Sequence, residues 1–335
     1  MKNFIFTKLK FQVLVIIIVS IVLSCSDEYT TKEDEVFSIE ENTGIISDNW
    51  FLVKTDGGYH RLVQDYDETN YVYSEDILIS KSEVTLVGEF SNSNFAVAIQ
   101  KQKELNKAFE ETTAERSGYL NSCIALDAQI WPNKIVYFKF DNSLYNDEVM
   151  LNNVFKGLEE WAHKTRLRMK VVPMDWVDDH AITIKKQENR GCSCTLGYGE
   201  GSMNLGPSCD VQSVIHEMGH AVGFVHEHQR PKRNDYLTVA SERDFKRLSQ
   251  ESGISKSKLK NNVNIVAVHN DDAAYDYESV MHYGSWSRNN VQLMEAMHDL
   301  NIPFFRHKLT GALIERPTKG LTEIDIQKVN EAYFN

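Results

Sequence analysis

The stretch His216-Glu217-Met218-Gly219-His220-Ala221-Val222-Gly223-Phe224-Val225-His226 contains the residue types and spacings that can do chemistry. His216 and His220 stand about one helical turn apart, so on a helix both imidazoles leave the same face. Imidazoles so placed can each reach one metal ion at about 2.1 Å. Glu217 lies beside the first of them and can take a proton from a water at that metal without being a ligand itself. A helix continued past Gly223 would carry residue 226 away. Glycine ends helices and tolerates positive φ, so the chain can turn there and bring His226 back as a third ligand. Three imidazoles, an open position and a carboxylate base describe a hydrolytic site for one Zn2+. The bland alternative, a helix with two packed or solvated histidines, does not account for the glycine and third histidine at these offsets.

These residues need elements to hold them. The run 211–222 reads as a helix carrying His216 and His220. Ahead of it, 134–140, 168–172 and 181–184 read as strands. The run 148–164 has apolar residues at Val149, Leu151, Val154, Phe155, Leu158 and Trp161, a helical rhythm. The Gly-, Ser- and Cys-rich run 191–207 predicts loop plus an edge strand at Gly201 to Gly206, able to align extended substrate by backbone pairing. A helix near 323–333 closes the chain. Earlier, 49–79 reads as a small, partly β segment with a Gly57-Gly58 turn. Residues 101–116 favour helix and hold no Pro or Gly. The order predicts an α+β fold, a mixed twisted sheet on two long helices followed by a loop-rich second half. The stretch 289–303 reads as an insertion without an assigned role.

The string Gly223-Phe224-Val225-His226-Glu227-His228-Gln229-Arg230, with Ser279-Val280-Met281-His282-Tyr283-Gly284 downstream, resembles the astacin family of zinc endopeptidases, within the metzincins. The resemblance runs from about Trp131 to the C-terminus. Trp131-Pro132, Asp235-Tyr236 and the closing Gly320-Leu321-Thr322, Asp325-Ile326, Val329-Asn330 and Tyr333 support it. It implies a metzincin-type fold and hydrolysis of peptide bonds in protein or peptide substrates. It makes Met281 an apolar floor beneath the metal, and Tyr283 a fifth ligand at rest that stabilises the oxyanion during turnover. Glu227 matches a glutamate that in astacins contacts the buried N-terminus formed on maturation. His228 and His282 fall inside the motifs but are not taken as ligands. One family disulfide maps to Cys192 with Cys209. The second is absent, because Arg166 stands at the first position expected for it and no Cys follows Cys209.

Astacins are usually made as zymogens whose pro-segment places an aspartate on the zinc, yet no Phe-x-Gly-Asp latch stands out between residues 26 and 125. Cys123 therefore becomes the candidate latch, a thiolate at the open metal position. A disulfide from Cys123 to Cys194, or an unpaired thiol, is the alternative.

Lys2, Lys8 and Lys10 precede an apolar run from Phe11 to Leu23 that ends at Ser24-Cys25, the pattern of a secretory signal. Val22-Leu23-Ser24-Cys25 resembles a bacterial lipobox, in which Cys25 would bear the lipid. An ordinary cleaved signal or an uncleaved anchor are the other readings. The expected organisation is signal 1–25, tether and pro-segment 26–125, and catalytic domain 126–335. The chain is expected to be exported, as an outer-membrane or cell-surface lipoprotein or else secreted, meeting membrane only through that lipid. A net charge of −12 argues against nucleic acid as a partner. A non-catalytic binding or adhesion lipoprotein on the same scaffold is the rival function. It is disfavoured because such a protein would normally have lost Glu217, Tyr283 or a histidine.

Overall fold

A computed structural model describes residues 49–55, 58–74, 76–113, 124–125, 128–177, 180–188, 190–268, 271–288 and 290–334. Cys25 and Cys123 lie outside the described residues. The first half supplies β1 (Asn49–Thr55), β2 (His60–Asp65), β3 (Asn70–Val72), β4 (Ile77–Ser80) and β5 (Val84–Ser91), then helix α1 (Phe95–Thr113). The next part holds β6 (Ile135–Phe140), α2 (Glu148–Lys164), β7 (Arg168–Val172), β8 (Ile182–Lys186), β9 (Ser193–Thr195), β10 (Gly201–Leu205) and α3 (Val211–Val222).

All ten strands join one mixed sheet in the order β5-β1-β2-β3-β4-β9-β10-β8-β6-β7. β8, β6 and β7 run parallel, and β10 is parallel to β8 and antiparallel to β9. Being hydrogen-bonded on both sides, β10 is not an edge, which corrects the reading of Gly201 to Gly206. Of the second part's strands, β9 lies at the end opposite β7, and β4 pairs with it in parallel, Ile77 opposite Cys194 and Leu78 opposite Thr195. The first half thus continues the sheet along the rim where extended substrate was expected to dock.

Helix α2 lies against α3 behind the sheet. Its buried stripe is Met150, Val154, Gly157, Leu158 and Trp161, at helical spacing, while Val149 and Phe155 face outward. Asp147 caps its start, accepting the Met150 N–H at 2.9 Å. Phe138, Trp131, Trp161, Val214 and Met218 meet in the main core. Trp50, Leu52, Leu62 and Ala98 form a small separate core between the first-half strands and α1.

The second half is richer in helix than expected. Beyond the turns after His226 come β11 (Leu237–Val239), α4 (Glu242–Ser252), α5 (Lys256–Asn261), α6 (Val291–Leu300), β12 (Phe305–His307) and α7 (Glu323–Phe334). α4 is mostly polar and buries only Phe245 and Leu248, so its apolar rhythm is faint, and a capping box at Ser241 and Asp244 starts it. The unassigned stretch is α6, which packs Leu293 and Met297 into a second core with Phe304 and Phe305.

Candidate active site

Asp210 opens α3 by accepting the Ser213 N–H at 2.7 Å. Gly223 closes it with φ +106°, a left-handed conformation that a side chain would strain. Two carbonyls at the end of this helix are satisfied by aromatic residues. Trp131 Nε1 donates to the Ala221 carbonyl at 2.7 Å, and the Tyr333 hydroxyl donates to that of Val222 at 2.7 Å. The chain then reverses, so that the rings of His220 and His226 stand 4.8 Å apart.

Met281 packs beneath this helix so closely that Gly219 leaves no room for a Cβ. The turn carrying Met281 is held by the last helix, since Asp325 accepts the Ser279 hydroxyl at 2.5 Å and the Val280 N–H at 2.9 Å.

The three rings are fixed from behind. His216 Nδ1 donates to the Val280 carbonyl at 2.7 Å, His220 Nδ1 to that of Phe224 at 2.8 Å, and His226 Nδ1 to Gln229 Oε1 at 2.7 Å. With Nδ1 protonated, each Nε2 presents a lone pair. All three Nε2 atoms are buried without a hydrogen-bond partner, as is Glu217 Oε2. Burial lowers the pKa of His220 to about 4, so it is neutral at pH 7, as a ligand must be. Convergent lone pairs on fixed rings fit a metal ion.

The fourth member of the cluster is Asp76. Its carboxylate sits 2.9 Å from His226 Nε2, 3.3 Å from His216 Nε2 and 3.5 Å from His220 Nε2. One donor atom from each of the four lies within 4.8 Å of the others, a group able to hold one metal ion. β4 positions this carboxylate. The Cys194 N–H donates to the Asp76 carbonyl at 2.8 Å, and Gln229 Nε2 donates to Ser74 Oγ at 3.3 Å.

The position expected for a Cys123 thiolate is thus filled by a carboxylate. Sequence reasoning missed Asp76, although a signal was present. Tyr73-Ser74-Glu75-Asp76 keeps an aromatic residue three places before the aspartate and differs from the sought pattern in its glycine.

Glu217 is buried beside the cluster. Burial, and then the neighbouring Asp76 carboxylate, push its pKa well above the ordinary range. The Tyr283 hydroxyl, expected at the metal, donates instead to Asp76 Oδ2, because the aspartate occupies the centre. A cleft of about 380 Å³ opens beside Glu217, and its wall includes Trp286, Ser287 and Arg288, just before α6, and Arg316. Arg316 is tied to Asp210 at 3.1 Å.

Glu227 is buried and paired with Lys328 and Arg230. Burial would raise its pKa, but Lys328 and then Arg230 hold it below the ordinary range. His228 and His282 point away from the cluster, His228 Nε2 to the Asn262 carbonyl at 3.0 Å and His282 Nε2 to the Tyr275 hydroxyl at 2.8 Å. Cys192 and Cys209 are bridged, and Cys194 is a free, buried thiol. In place of the missing second bridge, the Arg166 guanidinium lies 4.2 Å from the Phe334 ring centre.

Among known families, the profile of the Astacin peptidase family matches residues 124–334. Nematocyst expressed protein 6 of Nematostella vectensis is 28% identical over 69% of this chain and 73% of its own length. Astacin-like metalloprotease toxin 2 of Loxosceles intermedia is 26% identical over 67% of this chain and 79% of its own. Among solved structures, the hatching-enzyme zinc-protease High choriolytic enzyme 1 of Oryzias latipes aligns with a TM-score of 0.48 at 18% identity, covering 63% of this chain and 94% of that one.

Proposed function

This chain belongs to the astacin family and is a zinc metalloendopeptidase, and from that premise we propose that it is made as a latent precursor whose latch is Asp76. The single observation that carries this reading is the Asp76 carboxylate, lodged among three partnerless Nε2 atoms by a strand from the first half. His216, His220 and His226 hold the zinc. When bound, zinc supplies a Lewis acid and lets a water release its proton near neutral pH.

The remaining work falls to side chains. Glu217, beside the first histidine on α3, accepts the proton of the attacking water and later delivers it to the leaving amine. Tyr283, released from Asp76, can donate to the oxyanion. Withdrawal of β4 frees the backbone of β9, on which an extended peptide can pair. Met281 and Asp325 keep the floor and the turn beneath the site in place.

Export, with a lipid on Cys25, belongs to the same proposal and rests on the basic and apolar leader. Loss of fatty-acid labelling in Cys25→Ser tests it.

The test of function uses the chain from residue 26 onward. Bound zinc is measured, and casein hydrolysis is followed before and after limited proteolysis, beside a Glu217→Ala control. One equivalent of zinc is expected, with hydrolysis that appears on trimming and vanishes in the control. Zinc without hydrolysis by the trimmed, folded chain would favour the binding-protein alternative.

A further inference from the structure

Glu227 follows the third histidine directly and is 2% exposed, and both its oxygens are engaged. Oε2 accepts from Lys328 Nζ at 2.6 Å. Oε1 accepts from Arg230 at 2.6 Å and from the Asp276 N–H at 2.9 Å. The Glu227 N–H donates to the Met281 carbonyl at 2.9 Å, so this residue ties the third-histidine turn to the turn beneath the site. Lys328 lies on α7, 2% exposed, one turn after the Asp325 that pins that same lower turn. The segment entering this half is also seated. Ile124 and Ala125 are fully buried and bridge to Phe224 and Val268. A second ammonium arriving at Glu227 would be a third cation on a buried carboxylate that Lys328 and Arg230 already neutralise, and a buried charge without its own partner is strongly destabilising.

We infer that Lys328 is the permanent positioning cation of the third-histidine turn, so that activation consists of withdrawing Asp76 and the chain end created by cleavage takes no part. This rests on the latent-precursor reading. It departs from what the family resemblance implied for Glu227, and the reason is local to this chain: the partner is already built into its last helix.

The experiment cuts the full chain at introduced protease sites stepped one residue at a time between 114 and 122. The cut forms are expected to hydrolyse a test peptide with kcat/KM values within about twofold of one another. One register standing more than about tenfold above the rest overturns the inference.

Reductive methylation read by mass spectrometry asks the same question without turnover. Lys328 should stay unmodified in cut and uncut chains while the new α-amine is methylated. A methylated Lys328 beside a protected α-amine overturns the inference, whether or not the chain is active. If no cut form hydrolyses peptide but this labelling pattern holds, the latent-precursor reading fails and the pairing of Lys328 stands.

Substitution supplies a third arm. Lys328→Met should lower kcat of the cut chain by about tenfold or more with KM little changed, and Lys328→Arg should restore most of it. Full kcat in Lys328→Met also overturns the inference.

Discussion

Two carboxylates face the histidine centre, and they arrive by opposite routes. Glu217 is the immediate neighbour of His216 on α3, placed by helix geometry alone. Asp76 comes from the other half of the chain, placed by the register of β4 on β9 and by contacts from Ser74 to Gln229. The local route makes a group that stays with the metal through every state of the protein. On the latent-precursor proposal, the long route makes one that can be withdrawn by cutting the chain. The sharpest way to break this comparison is to neutralise each in turn. Glu217→Gln should retain zinc and cost the cut chain about 10²–10⁴ in kcat. Asp76→Asn should do the reverse, leaving the cut enzyme unchanged and raising hydrolysis by the uncut chain about tenfold or more, because the competent fraction is no longer suppressed. Equal effects of both substitutions on the cut enzyme would assign Asp76 a catalytic role rather than a latch.

The same distinction decided what could be read beforehand. His216, Glu217, His220, Gly223 and His226 are legible because one helical repeat and one left-handed glycine fix their relation. Strands β6, β7 and β8 and helix α2 were legible from alternation and apolar period, and α3 and α7 were also read as helices, whereas β5, β9, β11 and β12 were not read as strands. Asp76 was not, because no periodicity reports which strand will pair with β9, and the short parallel match of Ile77 and Leu78 with Cys194 and Thr195 leaves no sequence mark. β10 was misread as an edge for a related reason. Its residues are those of a strand, but whether a strand is an edge depends on its partners. α4 escaped notice because so little of it is buried. Arg233, a basic residue just past the metal motif, turns inward to donate to the carbonyls of His228 and Val263, and nothing in its type foretold that.

Tyr283 stands between the two routes, since it comes from the catalytic half but bonds to Asp76, the proposed latch. Tyr283→Phe sharpens the comparison by separating its duties. In the cut enzyme it should lower kcat about 10²-fold, the size of one lost oxyanion donor, with KM little changed. In the uncut chain it should loosen Asp76, visible as faster zinc removal by a chelator. A loss of kcat without faster zinc removal would show that the tyrosine contributes nothing to latency.

Trp50 tests whether the first half acts only through the latch. It is fully buried in the small core, and its Nε1 donates to Asn92 Oδ1 at 2.8 Å. Trp50→Ala should destabilise that half by about 3–5 kcal/mol. The expected result is faster tryptic trimming of the uncut chain and unchanged kcat/KM after trimming. A lowered kcat/KM in the trimmed form would mean that the first half also shapes the finished site.

The smallest effect is expected at Asp210, where the ligand helix begins. Burial acts to raise its carboxyl, but the Ser213 N–H and hydroxyl, and then Arg316, hold it below the ordinary range. A carboxyl whose folded pKa is depressed contributes stability that is present above its unfolded pKa of about 3.9. That contribution is lost as pH falls through the folded value. Asp210→Asn keeps a capping oxygen and removes the charge, which at a helix N-terminus is worth about 0.3–1 kcal/mol. The melting temperature of Asp210→Asn should therefore lie below that of the parent chain at pH 7, and the gap should close as pH falls below about 4. Since the cap and Arg316 lie on the cleft wall rather than at the histidines, zinc content should not change across this series. A gap that persisted at low pH would mean that Asp210 supports the helix through its shape and hydrogen bonds rather than through its charge.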